Sequence, residues 1–192
     1  SEVYKVNQLE GEQVAGIKVK CEKDAERIGI EKASCASDLA KAQPFVDQAN
    51  AAINSIKPAH IGEIKKLANP SDIIKLVFDC VLILFNAPLA KVQPCTITMA
   101  KTDIAWFEPS FKPQALQMMS NPNFLNQLVE FGSSGKDLMN DETIEFLSVY
   151  IDIEQFTPAV AKNASIAAEG LCTYVRTCAL VCQLKILPKL VL

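Results

Sequence analysis

The chain has 192 residues, 49% of them apolar, with 19 Lys and Arg against 22 Asp and Glu and a net charge of −3. That apolar content excludes disorder, and the near-neutral balance lacks the basic footprint of general nucleic-acid binding. Seven cysteines (Cys21, Cys35, Cys80, Cys95, Cys172, Cys178 and Cys182) are an odd number without a regular framework, and they read as reduced thiols of an intracellular protein.

Residues 1–57 predict one long helix, rich in Ala, Glu, Lys and Gln. Its sparse apolar positions (Val3, Val14, Ile17, Cys21, Ile28, Cys35, Leu39, Ala42, Val46, Ala49, Ile53, Ile56) recur at steps of three, four and seven. Such a narrow seam in a wide polar remainder favours a two-stranded coiled coil over a solvated amphipathic helix. Pro44 removes one backbone hydrogen bond inside this helix and is expected to kink it. At 1.5 Å per residue the helix would be on the order of 85 Å long.

Pro58 ends or bends the long helix. A short helix over 59–67 follows, with Ile61, Ile64 and Leu67 inward and His60, Glu63, Lys65 and Lys66 outward. Asn69-Pro70 stops it, Ser71 caps the next helix, and Asp72 suits that helix's N-terminus. Residues 73–85 are apolar almost all round, so this helix should be the buried centre of the domain. Lys75 and Asp79 interrupt the run, which is too short and too charged to span a bilayer.

Residues 86–111 read as an irregular insertion with prolines at 88, 94 and 109 and a strand-like CTITMA run that allows a short hairpin. Trp106 and Phe107 are expected to anchor it. Short helices are predicted over 112–119, over 123–131 with Phe124, Leu125, Leu128 and Phe131 inward, and over 141–151 with Ile144, Leu147 and Tyr150 or Ile151 inward. The segment 132–135 is expected to be a turn. Thr157-Pro158 opens a last helix running from 159 toward 187, where Pro188 bends it. Both long helices border the same head, so they should pair antiparallel, and most of the first helix has no partner within the chain. The missing initiator Met and the apolar LPKLVL ending suggest a piece of a longer polypeptide.

No glycine-rich phosphate loop, paired metal-ligand spacing or nucleophile elbow occurs. His60 is the one histidine, and Cys178 with Cys182 forms an i,i+4 pair with no second pair to complete a metal site. The chain is therefore not expected to be an enzyme on its own. What remains is a polar face around Lys57, His60, Lys65 and Lys66, with Lys112 and Lys162-Asn163 as further members.

The stretch SIKPAHIGEIKKLANPSDIIKLVFDCVLIL, together with NPNFLNQLVEF at 121–131 and NASIAAEGLCTYV at 163–175, resembles the microtubule-binding domain of dynein heavy chains in order and spacing. The resemblance covers roughly the whole chain. It implies an all-α fold: a long antiparallel coiled-coil stalk capped by a bundle of about six helices, with a flap-like insertion over 86–111. The first stalk helix would occupy 1–57, the head 58–178 and the start of the returning helix 179–192. Contacts to the groove between α- and β-tubulin are implied at Lys57, His60, Glu63, Lys65, Lys66, Lys112, Lys162 and Asn163. Where many relatives carry Arg or Lys, this chain has Gln117, Asn163 and Thr173, which implies weak, salt-sensitive binding.

The resemblance further implies that the two stalk helices slide by part of a heptad in response to ATP hydrolysis in a distant AAA+ ring. No cofactor is then expected in this fragment, with ATP and Mg confined to the full-length motor. The register and hinge residues would be Pro44, Ile53, Ile56, Pro58, Val175, Cys178, Cys182 and Pro188. A seam rich in Ala and Cys discriminates weakly between registers, so two are expected within a few kcal/mol of each other. The partners implied are the microtubule and the remainder of the heavy chain, with neither nucleic acid nor membrane. The flap-like stretch and FEPSFKPQALQMMSNPNFL look axonemal and outer-arm-like, which places the protein in the cytoplasm, on the cytoskeleton of a cilium or flagellum. The competing reading is a non-motor structural adaptor whose rod oligomerises and whose helical head only reverses the chain.

Overall fold

The computed structural model describes residues 2–89, 92–133 and 139–186. Helix α1 spans Glu2–Asn54 without interruption, with Pro44 inside it. The proline leaves the carbonyl one turn earlier without its intrahelical donor. The chain divides into two compact units within this helix, between Lys41 and Ala42. In the first unit every side chain from Gly16 to Ser34 is exposed, including Ile17 at 63% and Ile28 at 46%. Arg27 lies within ion-pairing distance of Asp24 and Glu31, at 3.7 and 3.9 Å, contacts worth little in water.

The second unit opens with the last turns of α1. Pro58 stands at the first position of α2, Pro58–Lys66, where its missing N–H costs nothing. Only Ile61 and Ile64 of α2 are buried. Leu67, expected inward, is 41% exposed, because the helix has already ended and residue 67 is extended (φ −66°, ψ 119°).

Helix α3, Asp72–Leu84, is the centre of the head: eleven of its thirteen residues are buried. Phe78 packs edge-on against Phe111 (5.9 Å) and beside Phe124 (6.4 Å), while Phe85 meets Phe124 (6.4 Å) and Phe131 (5.7 Å). Asn86 takes φ 50° and ends the helix. The N–H of Asn86 donates to Ile83 O, and that of Ala87 donates to Leu82 O, which satisfies two terminal carbonyls.

The flap-like stretch forms the hairpin that its strand-like run allows. Strands β1, Pro94–Met99, and β2, Thr102–Phe107, pair antiparallel with Ile97 opposite Ile104 and Met99 opposite Thr102. Ile97 and Met99 point into the core while Thr96 and Thr98 point out. Ala100 (φ 49°) and Lys101 (φ 67°) make the two-residue turn. Trp106 is half-buried and packs edge-on to Tyr150 at 5.4 Å. Phe107, expected beside it as an anchor, is 51% exposed, because neighbouring residues of a strand face opposite sides.

The helix expected over 112–119 begins later. A wide π-type turn covers Phe111–Ala115, Lys112 is extended (φ −118°, ψ 126°), and regular α4 is confined to Leu116–Ser120. Helix α5 covers Phe124–Ser133, so Gly132, assigned to a turn, is helical. The rest of that turn, from 134, lies outside the described residues. Helix α6, Asp141–Ile151, starts at the N-cap Asn140, whose Oδ1 accepts from Thr143 N at 2.8 Å.

The single last helix expected from 159 to 187 is two helices. Thr157 Oγ1 accepts from Val160 N and opens α7, Pro158–Ala164. Ser165 is then extended (φ −168°, ψ 142°), and α8 runs from Ile166 to Ile186. The serine makes the break stable. Its N–H closes α7 on Ala161 O (3.0 Å), and its Oγ accepts from Ala167 N (3.2 Å) to start α8.

Within the second unit, α8 lies antiparallel to the end of α1. Ala52 and Ile56 approach Gly170, whereas Val46, Ala49 and Asn50 share a small void with Tyr174, Thr177, Cys178 and Val181. Rising numbers on one helix meet falling numbers on the other. Ile53, Ile56, Val175, Cys178 and Cys182 are all buried. The sequence assigned both cysteines to the face against α1. Cys178 lines the void shared with α1, while Cys182 also places its Sγ 3.4 Å from Met139 Sδ.

Candidate functional site

Helix α2 carries most of the predicted contact residues because its proline start and two buried isoleucines leave the other side free. Lys57, Glu63, Lys65 and Lys66 are exposed, and His60 is half-buried. Lys65 and Lys66 occupy the last turn, where positive charge complements the helix dipole. His60 has a structural partner as well: its Nδ1 accepts the N–H of Lys57 at 3.3 Å across the first turn.

The break at Ser165 brings α7 alongside. His60, Glu63, Ile64 and Leu67 form one wall of a groove, and Lys162, Ala164, Ser165 and Ile166 form the other. Asn163 is exposed on α7 next to Lys162. Lys162 Nζ lies 3.4 Å from Glu169 Oε1, a largely solvated pair that competes little with an outside partner. Lys112 joins from the far end, its Nζ donating to Ala68 O at 2.7 Å just beyond α2. The structure thus gathers the predicted cations of α2, α7 and the Lys112 turn around one short helix. Gln117 is exposed on α4, and Thr173 is half-buried with its hydroxyl donating to Glu169 O. Of the predicted hinge residues, Pro44 is exposed within α1 and Pro58 begins α2, while Pro188 lies outside the described residues.

The insertion is held to the head by contacts that the sequence reading did not assign. Asp72 and Asp79, two turns apart on α3, both hold the insertion. Asp72 Oδ2 accepts from Thr98 N of β1 (2.7 Å), and its Oδ1 pairs with Lys75 Nζ (2.9 Å). Asp79 is buried; its Oδ1 accepts from Ser110 N (2.7 Å) and its Oδ2 from Tyr150 Oη of α6 (3.2 Å). Burial pushes the Asp79 carboxyl up to about 7, although both hydrogen bonds oppose the shift. Burial, with the neighbouring Asp79 charge, also raises the Tyr150 phenol. The available signal was a carboxylate in the middle of DIIKLVFDCVLILF: a charge inside an apolar run needs partners from elsewhere. Arg176 of α8 donates to Phe156 O (2.8 Å) and Ile151 O (3.3 Å), tying down the end of α6.

The second unit is a helical head with a hairpin pinned to its central helix and a cluster of lysines on α2 and α7. The family model for the microtubule-binding stalk of the dynein motor matches residues 6–185, and the chain belongs to that family. It is 34% identical over 179 residues to the dynein gamma chain of the flagellar outer arm of Chlamydomonas reinhardtii, covering 93% of this chain. It is 33% identical over 152 residues to dynein axonemal heavy chain 5 of Rattus norvegicus, covering 79% of this chain. The chain spans about 4% of the length of each of these relatives. Among solved structures, the microtubule binding domain of dynein-c matches with a TM-score of 0.58 at 24% identity, covering 78% of this chain and 90% of that one, a likeness of fold.

Proposed function

We propose that this chain is the microtubule-binding tip of an axonemal dynein, docking reversibly in the groove between α- and β-tubulin. The observation that carries the reading is the convergence of His60, Glu63 and Lys162 on one groove, with Lys65 and Lys66 beside it and Lys112 at its end. Lys57 and Asn163 complete the contact set. Exposed ammonium groups on a short helix suit an acidic filament surface, and their small number suits weak, fast-exchanging contact. The head, taken as 58–178 between stalk segments 1–57 and 179–192, binds without a cofactor. ATP and Mg2+ act in the remainder of the heavy chain, which completes the motor in the axoneme of a cilium or flagellum. Coupling runs through the register of α1 against α8, with Ile53, Ile56, Val175, Cys178 and Cys182 in the seam and Pro44, Pro58 and Pro188 as hinges.

The test is co-sedimentation with microtubules at low and moderate salt, comparing the parent chain with Lys65→Glu/Lys66→Glu. Pelleting that weakens with salt and is lost in the reversed variant is expected. Pelleting that is indifferent to both overturns the assignment of the face.

A further inference from the structure

In the seam between α1 and α8, Gly170 stands where the end of the α1 segment comes close. A methyl group built on Gly170 would lie 2.9 Å from Ile56 Cδ1, 3.0 Å from Ile56 Cγ1 and 3.0 Å from the carbonyl oxygen of Ala52. The first contact is to the movable end of Ile56, so the firm obstacle is the Ala52 carbonyl, which is backbone and would have to give by a few tenths of an ångström. A second glycine seats the same stretch of α1 less tightly. At Gly132 of α5 the nearest atom would be Asn50 Oδ1 at 3.0 Å, the end of a side chain, followed by the Tyr174 ring at 3.4 Å. Gly132 lines the small apolar void together with Val46, Ala49, Asn50 and Cys178, so α1 is packed loosely there and closely at Gly170.

We propose that Gly170 is the steric register selector of the stalk base: it permits the alignment in which Ala52 and Ile56 face residue 170, and any side chain there drives α1 toward another alignment. This rests on the reading that microtubule affinity follows the register of α1 against α8. A slide of part of a heptad carries Ala52 and Ile56 away from residue 170 and relieves the clash. A methyl group at 170 therefore penalises one register and spares the other, without touching the binding face. Gly132, limited by a movable side chain, has the same effect in weaker form.

The experiment uses Ala49→Cys, which faces the native Cys178 across the void, with the disulfide identified by mass spectrometry after mild oxidation. Crosslink yield reports the observed register, and the locked protein defines that register's microtubule affinity. Gly170→Ala should lower the yield severalfold and, in the reduced protein, move affinity about fivefold or more away from the locked value. Locking should abolish the affinity change. Gly132→Ala should do the same more weakly, and Gly29→Ala, with nothing within 4 Å of its added methyl, should leave the yield unchanged.

Because Gly170→Ala could unfold the head, it is also combined with Ile56→Val, which removes the nearest atom and should restore part of the yield. A folded Gly170→Ala protein with parental yield and affinity overturns the proposal, as does loss of folding in both variants. If the parent and locked proteins fail to bind microtubules, the functional reading fails, while the yields still decide whether Gly170 selects the register.

Discussion

Helices α2 and α3 follow one another, each begins beside a proline, and they are built to opposite specifications. Eleven of the thirteen residues of α3 are buried, against two of the nine in α2. Each fully buried aliphatic or aromatic side chain contributes about 1.5–3 kcal/mol, so α3 is secured many times over and α2 by Ile61 and Ile64 alone. Of the two, the helix that carries the candidate contacts is held by far less burial than the helix that follows it. Five residues, 67–71, separate the two.

The sharpest way to break this comparison is at Phe78, fully buried on α3 among Phe111 and Phe124. Phe78→Ala should cost about 3–5 kcal/mol in denaturant unfolding, and a loss below 1 kcal/mol would mean that α3 is not the frame. Asp79 comes next. Its folded carboxyl keeps its proton up to about 7, whereas an unfolded aspartate releases it near 3.8. The native state therefore binds the extra proton, and this group's contribution to stability is present at low pH and fades as pH rises from about 4 to 7. The decline amounts to about 3 kcal/mol, superimposed on whatever other carboxylates do. Asp79→Asn retains an acceptor for Ser110 N and should flatten that difference when parent and variant are unfolded at pH 4.5, 6 and 7.5. Parallel pH profiles would remove Asp79 as the cause.

On α2 the expected effects shrink. Ile64→Val should cost about 1 kcal/mol, measurable as a small shift in the denaturation midpoint. Lys65→Glu/Lys66→Glu should change stability by less than about 0.5 kcal/mol, since exposed charges contribute little. Destabilisation by 2 kcal/mol or more would show that the lysines hold the fold and would remove the contrast with α3.

The sequence disclosed elements wherever a periodic pattern met a strong boundary. Thr157 caps as expected, α6 spans the predicted residues, and β1 follows the alternation of Thr96, Ile97, Thr98 and Met99. It misled where tertiary partners decide. The 159–187 pattern carries no interruption, yet Ser165 breaks it, because its hydroxyl and amide satisfy both helix ends at once. Leu67 looked like the next inward position of α2 but falls on the residue that leaves the helix. The candidate face was legible as residue types, whereas the groove between α2 and α7 was not, since it exists only because of that break. Nothing in the sequence marks Gly170, whose contacts with Ile56 and Ala52 arise only from tertiary packing.

The hairpin turn has a practical consequence. Ala100 and Lys101 both hold positive φ in a two-residue turn, a geometry that ordinarily favours Asn-Gly, and each costs about 1 kcal/mol over a residue suited to it. Both are exposed, while the hairpin is fixed from below by Ile97, Met99 and the bond from Thr98 N to Asp72. The apex can therefore be rewritten without disturbing what it stands on. An Asn-Gly replacement should tighten it, and a fluorophore attached there would ride on α3 through the hairpin's own docking. That gives a reference point fixed to α3, from which the distance to a second label on α2 can be read in real time with and without microtubules.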